Sequence, residues 1–266
     1  PENLGLGTQN PIKSPWLVGP APGNTDDAQI LDLRTMETRL LSEIAGTTLP
    51  EHAGYLTFSN GTGGTLVLGL QTRSSTGHNG ALVTGSDLPG DLLVLNGSLD
   101  AATWISVPED FPPVIGLDVA PDGAHIALHG AEGQLGPDRE DIYSLLRLRD
   151  GKEIERSSTL TNVVETGEGV WTQGGQAFAY VDGNALMVLP IDVNLPEQPV
   201  FEADGPLTQL RPTADMSTLV VSQYGQNEMA TSVVRSESHR VYAVNTATRQ
   251  ATMFPGLDIS DNVGWA

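Results

Sequence analysis

The sequence contains no cysteine, which excludes disulfide bonds, thiolate metal sites and cysteine nucleophiles but does not fix the compartment. Basic residues are also scarce. Only 13 lysine and arginine residues stand against 33 aspartate and glutamate residues, which leaves a net charge of −20. A surface of this kind repels phosphate backbones and anionic lipid headgroups, so nucleic acid is disfavoured as a partner. It is compatible with cationic partners, divalent ions or a salty medium.

Long apolar runs and reactive motifs are missing as well. No segment approaches the roughly 18 consecutive apolar residues of a membrane-spanning helix, so we expect no membrane insertion. The sequence has no G-x-S-x-G elbow, no P-loop, no H-E-x-x-H motif and no EF-hand loop. The sequence therefore identifies no reaction. A protein without enzymatic activity is favoured over an enzyme.

Glycine and proline are abundant, with 30 and 18 copies among 266 residues, and this favours an all-β protein with many turns. The stretch GLDVAPDGAHIALHG, Gly116–Gly130, predicts a β-hairpin in which Asp122 belongs to a Pro-Asp-Gly turn. His125 and His129 would lie on one face of its second strand, about 13 Å apart at ~3.3 Å per residue. That separation is too large for a shared metal, so we expect exposed or rim histidines.

The same hairpin pattern recurs along the chain. Its copies are 40 to 61 residues apart when they are aligned on Phe58, Val119, Trp171, Arg211 and Trp265. Two further strand-like runs follow each complete hairpin. Each unit is therefore predicted to be a sheet of four antiparallel strands, which is the size and order of a β-propeller blade.

The two ends of the sequence complement each other. Three strand-like segments, at Pro15–Pro20, Ala28–Arg34 and Glu37–Ile44, have no inner strand before them, whereas Asp261–Ala266 has the pattern of an inner strand with nothing after it. Closure of the ring by the C-terminal strand would give five blades and remove two open edges. The alternative is a chain cut from a ring of six or more blades. The five-blade prediction is a single domain over 1–266 with blades at about 12–45 plus 259–266, 52–108, 114–158, 167–204 and 206–256.

The segments VAPDGAHIAL and VWTQGGQAFAYVDGNALMVLPID resemble the repeat W-S-P-D-G-x-x-I-A-F of TolB-like and WD-repeat-like propellers. The resemblance is best over Leu117 to Asp192, although Gln173-Gly174 replaces the Pro-Asp pair and Thr213–Asp215 blurs the turn. It implies a propeller that serves as a binding or scaffold module, often outside the cytoplasm in bacteria. It carries over no catalytic residue. The chain also begins without an initiator methionine, as a trimmed periplasmic or secreted protein would.

Three acidic residues are predicted on inner strands, around the central funnel: Asp118, Glu168 and Asp261, with Asp258 just before the last. Five-bladed rings include glycosidases, which need two carboxylates roughly 5–10 Å apart. If the protein is such a glycosidase, these acids are its catalytic residues. In a non-enzymatic propeller they are candidate binding residues. The aromatic content of 5% is low for a sugar-binding cleft. Asp118, which we align with Leu210 in the fourth copy, has no structural role that the sequence explains.

Two connections are longer than blade hairpins need, at Gln71 to Asp91 and Ser222 to Arg240, and are candidate binding loops. Two acidic clusters, Asp138 to Tyr143 and Asp258 to Asn262, offer hard oxygens for Ca²⁺. Neither cluster has the spacing of a calcium loop, so solvated turns are the favoured interpretation, and we expect no cofactor and no metal.

The leading hypothesis is a non-enzymatic propeller module that binds a protein or peptide outside the cytoplasm through the funnel mouth and the long loops. The first alternative is a five-bladed carbohydrate-active enzyme that uses inner-strand carboxylates. The second is a structural subunit of a cell-surface assembly, which a contiguous apolar patch would favour. The sequence does not fix the oligomeric state.

Overall fold

A computed structural model describes residues 16–21, 24–49, 56–60, 64–70, 88–132, 139–161, 169–213, 215–223 and 240–255. Most of these residues are in β-strands. The helical parts of the described ranges are α1 (Leu41–Ala45) and a 3-10 turn at Gln173–Gly175. The strands are β1 (Trp16–Ala21), β2 (Asn24–Asp32), β3 (Glu37–Leu40), β4 (Leu56–Asn60), β5 (Leu66–Leu70), β6 (Leu92–Leu95), β7 (Ala102–Ile105), β8 (Val114–Val119), β9 (His125–Glu132), β10 (Arg139–Arg147), β11 (Lys152–Thr161), β12 (Val170–Thr172), β13 (Ala177–Asp182), β14 (Ala185–Pro190), β15 (Gln198–Glu202), β16 (Leu207–Pro212), β17 (Thr218–Gln223), β18 (Arg240–Asn245) and β19 (Ala251–Pro255).

The strands form successive sheets in which neighbours along the chain are neighbours in the sheet. β1 to β3 make a three-stranded sheet, and β4–β7, β8–β11, β12–β15 and β16–β19 each make a four-stranded sheet. Strand pairs in all five sheets are antiparallel, among them β1–β2, β5–β6, β8–β9, β13–β14 and β17–β18, so the prediction of an all-β protein with four-stranded antiparallel sheets is confirmed. The number of blades and closure by 259–266 stay predictions, because residues 256–266 lie outside the described part of the chain.

The chain divides into two compact units, residues 1–131 with 144–154 and residues 132–143 with 155–266. In the first unit the sheets β1–β3 and β4–β7 bury apolar side chains against each other. On β5 and β6 these are alternate residues, as expected where one face of a strand meets a neighbouring sheet. The core between these two sheets consists of Trp16, Ala28, Ile30, Leu41, Leu49, Leu66, Leu68, Leu93, Leu95 and Leu99.

The second unit is built in the same way from the sheets β12–β15 and β16–β19. Five consecutive residues of β13, from Ala177 to Val181, are buried, so both faces of this strand are covered. The core between the two sheets consists of Ala177, Ala179, Val181, Leu186, Val188, Val200, Leu207, Leu210, Leu219, Val221, Tyr242 and Val244. The first strands of successive sheets lie next to each other, β4 beside β8 in the first unit and β12 beside β16 in the second.

The third N-terminal strand is shorter than predicted. The strand expected over Glu37–Ile44 ends at Leu40, and the helix α1 follows at once. The carboxylate of Asp27 on β2 explains the change. It accepts hydrogen bonds from the backbone N–H of Ser42 at 3.3 Å and from Ser42 Oγ at 2.6 Å, and so satisfies donors in the first turn. Gly46 ends the helix with a left-handed φ of 65°.

The Pro-Asp-Gly turn of the opening hairpin forms as predicted. The Gly123 N–H donates to the Ala120 carbonyl at 2.8 Å, and the Ala124 N–H donates to Asp122 Oδ1 at 2.8 Å. Gly123 has a φ of 69°, in the left-handed region that favours glycine. Asp122 therefore has the structural role in the turn that the sequence assigns to it.

The fourth copy of the hairpin closes with the same turn in different residues. The Met216 N–H donates to the Thr213 carbonyl at 2.8 Å, and Met216 has a φ of 56°, where the opening copy has Gly123. Asp215 takes the place of Asp122. Hydrogen bonds from Thr213 and from the residues after the turn lower the pKa of Asp215 to about 2, so this carboxylate stays ionised as an acceptor.

This equivalence corrects the alignment of the fourth copy by one residue. The position three before the turn aspartate is Val119 in the opening copy and Pro212, not Arg211, in the fourth. Asp118 therefore corresponds to Arg211 and not to Leu210. The predicted alignment was wrong because it passed over Asp215, the aspartate that fixes the turn, where Met216 replaces the glycine of the opening copy.

The expectation that both histidines lie at a rim is wrong for one of them. His129 is only 8% exposed, because β9 is the second strand of its sheet and is covered on both faces. His125 is half-buried, and its Nδ1 lies 2.9 Å from Asp122 Oδ2. Within the described ranges, no helix has the length and apolar character needed to span a bilayer.

We predict that Gly123→Ala lowers the free energy of unfolding by about 1–2 kcal/mol, because a Cβ is strained in the left-handed region. The added atom would also lie 2.8 Å from Thr65 Oγ1. Gly19→Ala is the matched control, since a Cβ there meets no atom within 4 Å. Urea denaturation of both variants checks the prediction, and equal effects at the two glycines would contradict it.

Candidate functional site

The predicted inner-strand acids are described only in part. Asp118 lies on the first strand of its sheet, half-buried and opposite Ala127 of β9. Glu168, Asp258 and Asp261 lie outside the described residues. The structure therefore brings together no pair of carboxylates among these acids, and their role at a funnel stays a proposal.

The antiparallel order gives each four-stranded sheet two distinct ends. At one end, here called the loop end, the second strand leads to the third and the fourth strand leads out of the sheet. At the opposite end, here called the turn end, the first strand leads to the second and the third leads to the fourth. Both predicted binding loops belong to the loop end, because they join β5 to β6 and β17 to β18. Only their bases, at 88–91, 222–223 and 240, lie within the described residues.

Asp204 holds the base of the second long loop. It lies between β15 and β16, and its carboxylate accepts hydrogen bonds from Gln223 Nε2 at 2.6 Å and from Arg240 at 2.8 and 3.0 Å. Gln223 and Arg240 are opposite each other in the register of β17 and β18, so one carboxylate contacts both sides of the loop base. These hydrogen bonds, that of Gln223 first, hold the pKa of Asp204 below its usual range.

The polar contacts at this base continue into the core. Tyr242 donates from its hydroxyl to Gln223 Oε1 at 2.7 Å, and both side chains are buried. The Tyr242 ring packs against Phe201 with 4.7 Å between ring centroids. Asp204 and Arg240 are exposed, so an exposed ion pair is connected through Gln223 to the buried side chain of Tyr242. The loop base is thus rigidly tied to its sheet.

Asp91, the last residue of the first long loop, connects that end of the loop to β7 and the residues after it. Its N–H donates to the Ile105 carbonyl at 3.0 Å, and its Oδ2 accepts the Val107 N–H at 2.9 Å. A depression beside Asp91 has room for no more than about one water molecule. It is too small for a substrate. Its walls are Leu41, Leu49, Leu68, Gly69, Leu93 and Trp104.

A second polar cluster lies at the turn end of the second unit. Ser157 of β11 and Tyr180 of β13 are buried, and their hydroxyl oxygens are 2.6 Å apart. Both hydroxyls donate to Oε1 of Glu197, that of Ser157 at 2.7 Å. Glu197 belongs to the connection between β14 and β15 and is exposed as a residue, but this oxygen is turned inward. Burial is the main reason why its pKa is raised, and the neighbouring charge of Glu155 raises it further.

The predicted acidic clusters do not form a calcium site in the described residues. The cluster Asp138 to Tyr143 was expected to be a solvated turn, but Arg139–Arg147 is a strand and Asp141 is fully buried. That expectation is wrong because alternate residues of β10 face the protein interior. The cluster Asp258 to Asn262 lies outside the described residues. In the described ranges, no three His, Cys, Asp or Glu side chains come together as metal ligands.

Sequence reasoning missed Asp204 and Glu197. Each contacts partners 17 to 40 residues away in the chain, and no local motif marks such a contact. The sequence offers one signal for the Asp204 contact. Arg240, the last residue of the predicted loop, is a cation at the loop base that a carboxylate can pair with.

No protein-family model matches the chain, and no curated protein matches it. Solved structures do resemble it. An oligogalacturonate lyase in complex with manganese is 12% identical with a TM-score of 0.52, and the match covers 85% of this chain and 58% of the lyase. The β-propeller domain of Swd1 from Myceliophteria thermophila is 17% identical with a TM-score of 0.48, and the match covers 90% of this chain and 64% of that domain.

A TolB from Agrobacterium tumefaciens is 11% identical with a TM-score of 0.47, and the match covers 92% of this chain and 82% of TolB. TolB and a WD-type propeller domain are thus among the structures that the chain resembles, as its repeat predicts. At these identities the likeness concerns the fold alone. The chain spans less than two thirds of the lyase and of the Swd1 domain, so it does not inherit an activity from them.

We predict that Glu197→Gln stabilises the protein more at neutral pH than at acid pH. The folded-state pKa of Glu197 is raised above its unfolded value, so its favourable contribution is present at low pH and is lost as the pH rises through the folded pKa. The difference in unfolding free energy between variant and wild type should therefore grow as the pH rises above 4.5, the ordinary glutamate value, through the folded pKa. Glu202→Gln, at an exposed position of β15, is the control. A difference that is constant or shrinks with pH would contradict the sign.

We predict that Asp204→Ala loosens the base of the second long loop without unfolding the unit, because the hydrogen bonds to Gln223 and Arg240 are lost. Hydrogen exchange should become faster in peptides from 218–223 and 240–245 and stay unchanged in 170–202. Asp150→Ala, which removes an exposed carboxylate paired with Arg147 at 2.5 Å, is the matched control. The same pattern of exchange in both variants would refute the role of Asp204.

Proposed function

We propose that the protein is a non-enzymatic β-propeller scaffold that binds a basic protein or peptide with the loop end of its sheets, outside the cytoplasm. The observation that carries the proposal is that each of the two long connections lies at the loop end of its own sheet, with Asp204 fixing the base of the second one. Rigid sheets that present long loops are a common way to build a binding surface.

The charge of the chain selects the kind of partner. A net charge of −20 steers basic partners to the surface and repels acidic ones. The extracytoplasmic location rests on the resemblance of the repeat to TolB-like propellers. The proposal also keeps the domain organisation of five blades at about 12–45 plus 259–266, 52–108, 114–158, 167–204 and 206–256.

A carbohydrate-active enzyme is the second candidate, and the likeness to the oligogalacturonate lyase is the observation that favours it. In that case Asp118, Glu168 and Asp261 would be its acids. Incubation of the protein with oligogalacturonate and Mn²⁺ distinguishes the two candidates. We expect no cleavage of the oligogalacturonate. Cleavage would favour the enzyme and contradict the non-enzymatic scaffold.

The binding proposal is tested by affinity capture from cells of the native host. Three baits are compared: the wild type, a variant with residues 73–86 replaced by a short Gly-Ser linker, and one with residues 226–237 replaced in the same way. We expect the wild type to capture a basic protein that at least one loop replacement no longer retains. Glu202→Gln is a control bait that keeps both loops. Capture that neither replacement changes, or no capture by the wild type, would refute the proposal.

A further inference from the structure

The turn end of the second unit carries an exposed apolar surface of its own. The connection between β14 and β15, residues 191–197, exposes Val193 by 63% and Leu195 by 54%. Pro196 and Pro199 beside them are exposed as well. Single exposed apolar residues are ordinary, but here two large ones share one connection with Pro196, and Pro199 follows near the start of β15. These four residues are called the strip.

Hydrogen bonds within the connection hold this strip outward. Asp192 accepts the Asn194 N–H at 3.0 Å and Asn194 Nδ2 at 2.7 Å through the same oxygen. The Leu195 N–H donates to the Asp192 carbonyl at 2.9 Å. The turn is therefore fixed locally, and a partner that covers Val193 and Leu195 loses little conformational freedom of the turn on binding.

Two carboxylates lie beside the strip. Glu197 ends the connection and accepts the Ser157 hydroxyl at 2.7 Å. Glu155 precedes Ser157 by two residues and is on the same face of β11, about 7 Å along the strand. Arg156 lies on the opposite face by the same alternation. Arg249 lies between β18 and β19 and donates a hydrogen bond to Gln198 Oε1, at the start of β15.

We propose that this surface docks a partner segment in which a lysine or arginine stands next to apolar residues. The cation lies between Glu155 and Glu197, and the apolar residues cover Val193 and Leu195. The charge complementarity is specific, because the two carboxylates repel each other until a cation neutralises them. A second copy of the chain does not fit, since it brings its own net charge of −20 to an acidic surface.

The surface is separate from the one proposed for the long loops. Arg249, in the turn between β18 and β19, contacts Gln198, so the turn ends of the two sheets lie on one side of the second unit. Asp204 joins the exit of β15 to the base of the loop between β17 and β18, so their loop ends lie on the other side. The protein would then present two binding surfaces at opposite ends of one pair of sheets.

A phage-displayed library of 12-residue peptides, panned on the wild-type protein at physiological salt, tests the proposal. We expect enriched sequences with a basic residue beside apolar ones. The most enriched peptide is then synthesised, and its affinity is measured by calorimetry. The double variants V193S/L195S and E155Q/E197Q should each weaken it by about tenfold or more, a change typical for the loss of central contacts.

Controls separate this surface from the loop end and from loss of folding. Met36→Ser removes a methionine that is 68% exposed and should leave the affinity unchanged. The two loop replacements should also leave it unchanged. Circular dichroism and thermal melting confirm that each variant is folded. No enriched peptide, or a peptide insensitive to both double variants, would overturn the proposal. A peptide lost only on loop replacement would overturn it while supporting the proposed function.

Discussion

Burial of sheet faces against neighbouring sheets is the constraint on which the rest of this structure depends. In the sheet β12–β15, the residues of β13 from Ala177 to Val181 are buried on both faces of the strand. This burial requires the sheet to be covered on both sides, which is why sheets pack face to face within each unit. The faces also bury polar side chains such as Asp141 and Ser144, whereas the exposed residues Asp204 and Glu197 lie at the ends of the sheets, where connections reach solvent.

The features that we propose for binding lie at the ends of the sheets. At the loop end, Asp204 connects an exposed arginine to the buried Gln223–Tyr242 pair, so the base of a long loop becomes part of the rigid core. At the turn end, Glu197 connects an exposed apolar connection to the buried hydroxyls of Ser157 and Tyr180. In both cases an exposed acidic residue accepts hydrogen bonds from buried side chains. The acidic composition of the chain makes such carboxylates available.

The sequence predicts the strands and their order well, because turn residues and apolar alternation are local signals. The turn at Asp122 could be assigned from three consecutive residues. The helix α1 could not, since its first turn depends on Asp27, 15 residues earlier in the chain. The alignment of the fourth copy failed because Met216 adopts a left-handed φ that a sequence pattern assigns to glycine. Partners of Glu197 are set by sheet packing, and no spacing in the sequence encodes them.

An acidic scaffold that binds a basic partner must lose affinity as salt screens the attraction. The most direct test is the affinity of the wild-type protein for its captured partner, measured by calorimetry from 50 to 500 mM NaCl. We expect the affinity to fall steadily with salt and the slope to be smaller when the loop between β17 and β18 is replaced. An affinity that is independent of salt, or that rises with it, would contradict a charge-selected partner.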